Sequence, residues 1–231
     1  MLNKKFGLAG LLMVPLLANA ATVTLYGDNI KFTYDDSTLF GSATVVGDNI
    51  FFQPTNFRAE SVNGQGVVSA TDTINVTAEV ITDGFVMTSF SLIEQGDYRL
   101  SAGSTEVTAS SRLQVTSGTT TCGGFFVCSD NDLVNATGLG TVGPTTNWDI
   151  NAAVNLGDTT GWGSDTLATI QIQNDLSATT NNLGELAWIQ KKIGGVGMQV
   201  EVSEVPVPAA FWLFGSALGA LGCLRSAKSK R

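Results

Sequence analysis

Apolar and polar residues alternate along residues 73–81, and this pattern constrains the fold more than any other feature. In an extended chain Ile74, Val76, Ala78 and Val80 point to one side, while the intervening Thr, Asn and Glu side chains point to the other. Similar alternation recurs over short runs elsewhere, and no long amphipathic helix pattern interrupts it. The sequence therefore predicts an all-β protein whose strands have one buried and one solvated face.

Turn residues divide the chain into short segments. Gly, Asp and Asn stand between most of the alternating runs, and Gly-Asp-Asn-Ile occurs twice, at residues 27–30 and 47–50. These residues tolerate the backbone geometry of hairpin turns. Many strands without a long helix predict an antiparallel β-sandwich of jelly-roll type. Strands are predicted at residues 22–26, 30–34, 39–46, 50–53, 67–70, 73–81, 85–93, 98–101, 105–109, 112–115, 149–154, 166–173, 186–191 and 198–202.

The start of the chain has the pattern of a secretory signal peptide. A basic first segment precedes an apolar stretch over residues 6–17, and Ala18-Asn19-Ala20 offers a small-residue cleavage site. Residues 1–20 are thus the predicted signal peptide, and residues 21–204 the extracytoplasmic β-sandwich domain. The Thr-, Ser- and Gly-rich stretch between residues 115 and 147 is predicted to be a long loop within that domain. A boundary between two smaller β domains is the alternative.

The acidity of the chain belongs to this body. All 20 acidic residues but only 6 of the 12 basic residues lie in residues 21–204, so the formal net charge of the body is 6 minus 20, or −14. A surface of this sign repels nucleic acid and anionic lipid headgroups, and it keeps an exported protein soluble. No nucleic-acid partner is expected.

Residues 205–231 combine a proline motif, an apolar run and a basic end. The motif consists of Val205, Pro206, Val207, Pro208, Ala209 and Ala210. At 1.5 Å per residue, the apolar run over residues 209–224 would form a single transmembrane helix of roughly 24 Å. An ordinary membrane anchor is one interpretation, in which the positive-inside rule holds the basic end in the cytoplasm. The basic residues are Arg225, Lys228, Lys230 and Arg231.

The same tail resembles the PEP-CTERM sorting signal of exported bacterial proteins. The resemblance rests on the motif at residues 205–210, on Trp-Leu-Phe-Gly-Ser at residues 212–216 within the apolar run, and on the basic end. Val207 replaces the usual Glu between the two prolines, as in known variants of the signal. The resemblance implies processing by an exosortase, a membrane protease or transpeptidase. It also implies inner-membrane anchoring before processing, a final location at the cell surface or outside the cell, and an association with exopolysaccharide and biofilm formation.

Cys122 and Cys128 are the cysteines of the body. They bracket Gly-Gly-Phe-Phe-Val, a segment short enough to fold back as a hairpin. Because export places them in an oxidising compartment, we predict a disulfide between them. A zinc site is not expected, since two thiols without a histidine leave the ion short of ligands.

The chain contains no histidine, which excludes several classes of catalysis. Ser-His-Asp and Cys-His mechanisms in their usual forms need that residue. The sequence also lacks a phosphate-binding loop and a dinucleotide fingerprint. A glycosidase needs only two carboxylates, and its candidates here are Glu60, Glu79, Glu94 and Asp97.

Turns rich in side-chain oxygens are candidate calcium sites. No other cofactor is expected. Asp130 and Asp132 stand at alternate positions in Asp-Asn-Asp, and the two Gly-Asp-Asn-Ile turns would add oxygens if they met at one rim of the sandwich. Solvated turn residues without a bound ion are the alternative interpretation.

Two tryptophans are candidates for stacking on sugar rings. Trp148 and Trp162 are predicted to lie in Gly- and Thr-rich loops, whereas Trp188 lies in an alternating run and is predicted to belong to the core. We expect an exported bacterial surface or extracellular-matrix protein without catalytic activity, sorted through its tail. A carbohydrate-binding module of the exopolysaccharide matrix is the alternative, and a glycosidase is a second one.

Overall fold

The computed structural model describes residues 21–36, 38–205 and the single residue Ser216. Within these residues the chain is almost entirely β-structure, with one turn of 3₁₀ helix at Leu156–Asp158. No helix in this part of the chain is long and apolar enough to cross a membrane. The strands are β1 (Thr22–Tyr26), β2 (Ile30–Asp35), β3 (Ala43–Val46), β4 (Asn49–Phe52), β5 (Arg58–Val62), β6 (Gly66–Val80), β7 (Phe85–Leu100), β8 (Glu106–Cys122), β9 (Phe126–Asn135), β10 (Thr146–Asn155), β11 (Leu167–Thr180) and β12 (Leu186–Glu204).

The strands form two sheets. The first has the order β1-β2-β6-β11-β8-β9, and the second has the order β10-β7-β12-β4-β3, with β5 also paired to β12. All pairings between these strands are antiparallel. The predicted all-β fold with two antiparallel sheets is therefore confirmed.

Inward-facing side chains from both sheets form one hydrophobic core. Ile74, Val76 and Ala78 are buried, as their alternation predicts. Phe40 packs edge-to-face against Phe52 and Phe57, with ring centroids 5.8 and 5.6 Å apart. Burial of each such aromatic side chain contributes roughly 1.5–3 kcal/mol to stability.

The two Gly-Asp-Asn-Ile turns meet at one end of the molecule. Asp48 Oδ1 accepts hydrogen bonds from the main-chain N–H groups of Asn29 and Ile30, at 2.6 and 3.0 Å. A Cβ atom on Gly27 would collide with the carbonyl oxygen of Gly47, so the close approach of the two turns requires glycine. The repeat is thus a pair of contacting turns between strands.

Several of the observed strands are longer than the sequence predicts, whereas β3 is shorter than the strand predicted at residues 39–46. The segments predicted at residues 67–70 and 73–81 are one strand, β6, and β7, β8 and β12 likewise each join segments that were predicted separately. The predicted long loop between residues 115 and 147 is wrong in part, because β8 continues to Cys122 and all of β9 lies there. Thr fits a paired strand well, but inward positions occupied by polar side chains hide the alternation.

Several predicted features lie outside the described residues. These are the signal peptide of residues 1–20, the sorting motif after Val205, and the transmembrane helix and basic end, apart from Ser216.

Candidate functional site

The predicted disulfide joins Cys122 to Cys128. It links the last residue of β8 to the third residue of β9, and so closes the hairpin between them. The tip of this hairpin carries Phe125 and Phe126, which are 90% and 79% exposed. The disulfide therefore holds two apolar rings at the solvent-facing end of the first sheet.

Trp148 and Trp162 do not form the predicted sugar-stacking surface. Trp148 lies in strand β10 and not in a loop, and it is only 4% exposed. Its Nε1 donates a hydrogen bond to the carbonyl oxygen of Gln190 at 3.2 Å. Trp162 does lie in a loop, but it is 8% exposed and its Nε1 donates to Asp165 Oδ2 at 3.2 Å. A buried ring face cannot stack on a sugar, so both indoles act as core side chains with a satisfied polar atom.

Asp165 is a structural carboxylate that the sequence did not single out. Besides Trp162, the hydroxyls of Ser117 and Thr119 donate to it, as do the main-chain N–H groups of Thr166 and Leu167. Desolvation alone would raise the pKa of Asp165, but the hydrogen bonds outweigh it and the pKa is lowered. Asp165 therefore remains ionised and fixes the chain just before β11.

Asp130 and Asp132 lie on the inward side of edge strand β9 and bind groups of the protein. Asp130 Oδ2 accepts from the Thr159 hydroxyl at 2.9 Å, and Asp132 Oδ2 accepts from the main-chain N–H of Ala153 at 3.0 Å. Among the described residues, no three His, Cys, Asp or Glu side chains are grouped so that they could hold a metal ion. The geometry thus assigns both carboxylates a role in joining the edges of the two sheets.

Each of the four carboxylates named as glycosidase candidates forms an ion pair. Glu79 pairs with Lys31, Glu60 with Arg58, and Asp97 with Lys192. The fourth pair is buried: Lys191 Nζ lies 2.5 Å from Glu94 Oε2, and both side chains have no exposed surface. Of these four carboxylates, only Glu94 is buried.

Glu94 belongs to a group of four buried polar residues between the two sheets, which we call the core polar cluster: Glu94, Ser111, Asn174 and Lys191. Glu94 and Lys191 come from the neighbouring strands β7 and β12 of the second sheet. Ser111 and Asn174 lie opposite each other on β8 and β11 of the first. Asn174 Nδ2 donates to Glu94 Oε1 at 2.9 Å and to Ser111 Oγ at 2.8 Å. The cluster therefore connects the sheets through their centre.

The surroundings of Lys191 are apolar. Its Nζ lies 5.4 Å from the ring centroid of Phe57 and 5.6 Å from that of Trp148. Burial, which here outweighs the attraction of Glu94, lowers the pKa of Lys191. The pairing of β12 with β7 is irregular between Lys191 and Val196, directly after the buried lysine.

A sequence signal for the core polar cluster exists. Asn174 continues the inward series Ile170, Ile172, Leu176, and Glu94 follows Phe90 and Leu92 at the same spacing of two. A polar residue at an inward position of an otherwise apolar series is uncommon. The interruptions at Asn174 and Glu94 are the signal from which the cluster could have been predicted, although the sequence-based predictions do not include it.

On the outer face of the second sheet, Trp188 lies against Arg58, one of the residues that line a polar groove. Trp188 is half-buried and not in the core as predicted, with the Arg58 guanidinium carbon 4.4 Å from its ring centroid. Arg58 also donates to Gln190 Oε1 at 2.8 Å and to Glu60 Oε2 at 2.9 Å. We call this the outer groove: it has a volume of about 690 Å³ and is lined by Arg58, Glu60, the segment of residues 190–192 and the loop of residues 54–57.

Comparisons with protein-family models, with curated proteins and with solved structures find no significant match. The function is therefore inferred from the residues of this chain.

Proposed function

We propose that this chain is an exported bacterial surface or extracellular-matrix protein without catalytic activity, exported through residues 1–20 and sorted through residues 205–231. The observation that carries the proposal is the tail, with its proline motif, uncharged apolar run and basic end, behind an acidic body without histidine. Strand β12 ends at Glu204, and Val205 donates its N–H to the carbonyl oxygen of Gly84 at 2.7 Å. The body is thus complete where the proposed motif begins, which supports access of a processing enzyme to it.

The proposal includes one jelly-roll-type domain over residues 21–204. After β5 the chain alternates between the sheets: β6 is in the first, β7 in the second, β8 and β9 in the first, β10 in the second, β11 in the first and β12 in the second. Side chains from both halves of the chain enter the same core. These crossings support a single domain over two smaller ones.

Mass spectrometry of the protein recovered from cells and from extracellular material tests the sorting. We expect an N-terminus at Ala21 and a C-terminus within residues 205–210. Replacement of Pro206 and Pro208 by alanine is expected to leave the tail attached, whereas Pro144→Ala, in a loop of the body, is the matched control and is expected to be processed normally. Recovery of residues 211–231 on extracellular wild-type protein would refute the proposal.

The outer groove favours carbohydrate binding as a second candidate function. The guanidinium of Arg58, the carboxylate of Glu60 and the amide of Gln190 line the groove and supply hydrogen-bonding groups that sugar hydroxyls need, and the Trp188 ring lies against Arg58. A glycan array with bacterial exopolysaccharides tests it. Trp188→Ala and Gln190→Ala are expected to reduce binding, and Tyr26→Ala, which removes an exposed aromatic ring from the first sheet, is expected to leave it unchanged. Equal binding by all three variants would place the site elsewhere.

A further inference from the structure

The core polar cluster contains a buried ion pair and a buried side-chain atom without a hydrogen-bond partner, which ordinary packing does not explain. An ionised pair without solvent exposure costs more in desolvation than it commonly regains by attraction. In addition, Asn174 Oδ1 is buried and has no hydrogen-bond partner, a condition it shares with only one other buried side-chain atom in the described part of the chain, Arg112 Nε. Buried polar atoms are rarely left unpaired in native proteins.

The orientation of the Asn174 amide follows from its neighbours. Its Nδ2 lies 2.9 Å from Glu94 Oε1 and 3.0 Å from the main-chain carbonyl oxygen of Gln173. A carboxylate and a carbonyl oxygen only accept hydrogen bonds, so the group facing them is the amide NH₂. The unpartnered atom is therefore the carbonyl oxygen.

The carboxylate of Glu94 lies between the amine of Lys191 and the side-chain amide of Asn174. Its Oε2 lies 2.5 Å from Lys191 Nζ, while its Oε1 contacts Asn174 Nδ2. One oxygen is thus placed to take a proton from the amine and the other to give a proton to the amide nitrogen. This is the arrangement that general acid–base catalysis of an acyl transfer requires.

We propose that Lys191 and Asn174 form an intramolecular isopeptide bond, with Glu94 as the catalytic residue that transfers protons. Glu94 takes a proton from the Lys191 ammonium, and the neutral Nζ attacks Cγ of Asn174. The Nζ–Cγ bond forms, the Cγ–Nδ2 bond breaks, and Nδ2 leaves as ammonia. Of the two protons that Nζ loses, one leaves with the ammonia and the other remains on Glu94. The reaction needs no oxidant, no reductant and no cofactor.

The environment of the cluster suits both the reaction and its product. The lowered pKa of Lys191 favours the neutral amine that attacks. Phe57 and Trp148 exclude water that would otherwise hydrolyse the acyl group. After the reaction no ionised group remains in the cluster, and the protonated Glu94 supplies a donor for the carbonyl oxygen that lacks one. The bond joins β11 of the first sheet to β12 of the second.

Digestion of the full chain after glutamate residues tests the proposal. Cleavage after Glu106, Glu185 and Glu201 places Asn174 in the peptide of residues 107–185 and Lys191 in that of residues 186–201. With the disulfide reduced and alkylated, we expect the wild-type protein to give one species, whose mass is the sum of both peptides minus one ammonia molecule.

Variants assign the roles. Lys191→Met and Glu94→Gln are expected to give two separate peptides, while Lys192→Met, which removes the neighbouring exposed cation, is expected to keep them joined. The wild-type digest decides the matter alone if a variant does not fold. Separate peptides from folded wild-type protein would overturn the proposal. Linkage of residues 186–201 to the peptide of residues 80–106, with loss of water, would also overturn it, since a Glu94 side chain in amide linkage is no longer a cleavage site. A joined product from Glu94→Gln would overturn the role of Glu94.

Discussion

Replacement of Asp165 by asparagine tests how the chain is held where it passes from β10 in the second sheet to β11 in the first. Asp165 is 3% exposed and forms an isolated bridge with Met87 of β7, while its carboxylate accepts from Ser117 and Thr119 on β8. The residue thus links the sheets where the chain changes direction, through its main chain to β7 and through its side chain to β8. Asparagine has the same shape but carries no charge and has one acceptor fewer.

The expected loss of stability follows from the donors around the side chain. Oδ2 accepts from Trp162 Nε1 at 3.2 Å and from the Ser117 hydroxyl. In Asp165→Asn an NH₂ group faces the indole N–H, which can only donate, and an unsatisfied buried donor costs roughly 1–3 kcal/mol. The hydrogen bonds that remain also lose their charge assistance. We expect the free energy of unfolding to fall by about 3 kcal/mol.

Urea denaturation at pH 7, followed by tryptophan fluorescence with the disulfide intact, measures the change. Asp149→Asn, an exposed position on β10, is the matched control and is expected to stay within about 0.5 kcal/mol of the wild type. Because folding lowers the pKa of Asp165 below its ordinary value of 3.8, its contribution is present above that value and disappears as the pH falls through the lower folded pKa. Equal stability of the two variants at pH 7 would refute the reasoning.

Three further changes have defined outcomes. Replacing Cys122 and Cys128 by serine removes the disulfide that closes a small loop. The free energy of unfolding, measured in urea melts, is expected to fall by about 2 kcal/mol, with no loss of the fold. Hydrogen bonds from Asn182 and Ser104 lower the pKa of Glu185 from 4.5 to about 2. The stabilisation that the ionised Glu185 gives the fold is therefore complete above pH 4.5 and is lost as the pH falls through about 2. Acid titration of Glu185→Gln is expected to lack this part of the pH dependence of unfolding. In Gly96→Ala the new methyl group meets the Trp148 ring and the Gln190 carbonyl oxygen, so thermal melts are expected to show a loss of about 1–3 kcal/mol, whereas Gly103→Ala, in open space, is the neutral control.

The parts of the fold that local patterns determine were predictable. Alternation places Ile74 and Val76 in the core, and the spacing of Cys122 and Cys128 indicates their disulfide. Both inferences depend on residues close together in the chain, where the period of an extended strand or the length of a loop decides the outcome. Strand ends were less predictable, since a β-strand continues wherever a neighbouring strand pairs with it.

The positions that were predicted wrongly depend on contacts between distant segments. Trp148 stands among loop-like residues, but it lies opposite Gly96 of β7, whose missing side chain leaves room for the indole. Trp188 has the alternation of a core residue, but the register of β12 turns it to the outer face, beside Arg58 of β5. A shift by one residue reverses the side of a sheet on which a side chain lies, and pairing between distant strands sets that register.

The edges of the second sheet explain two polar contacts that have no evident role in binding. Strand β10 is one edge, and the N–H of Ala153 donates to Asp132 of the first sheet at 3.0 Å. Strand β3 is the other edge, and the N–H of Ala43 donates to the Tyr34 hydroxyl of the first sheet at 2.9 Å. Free edge N–H groups are sites for unwanted strand pairing between molecules. Side chains of one sheet therefore bind N–H groups at the edges of the other, and this protection suits a protein that we propose to be exported to the cell surface.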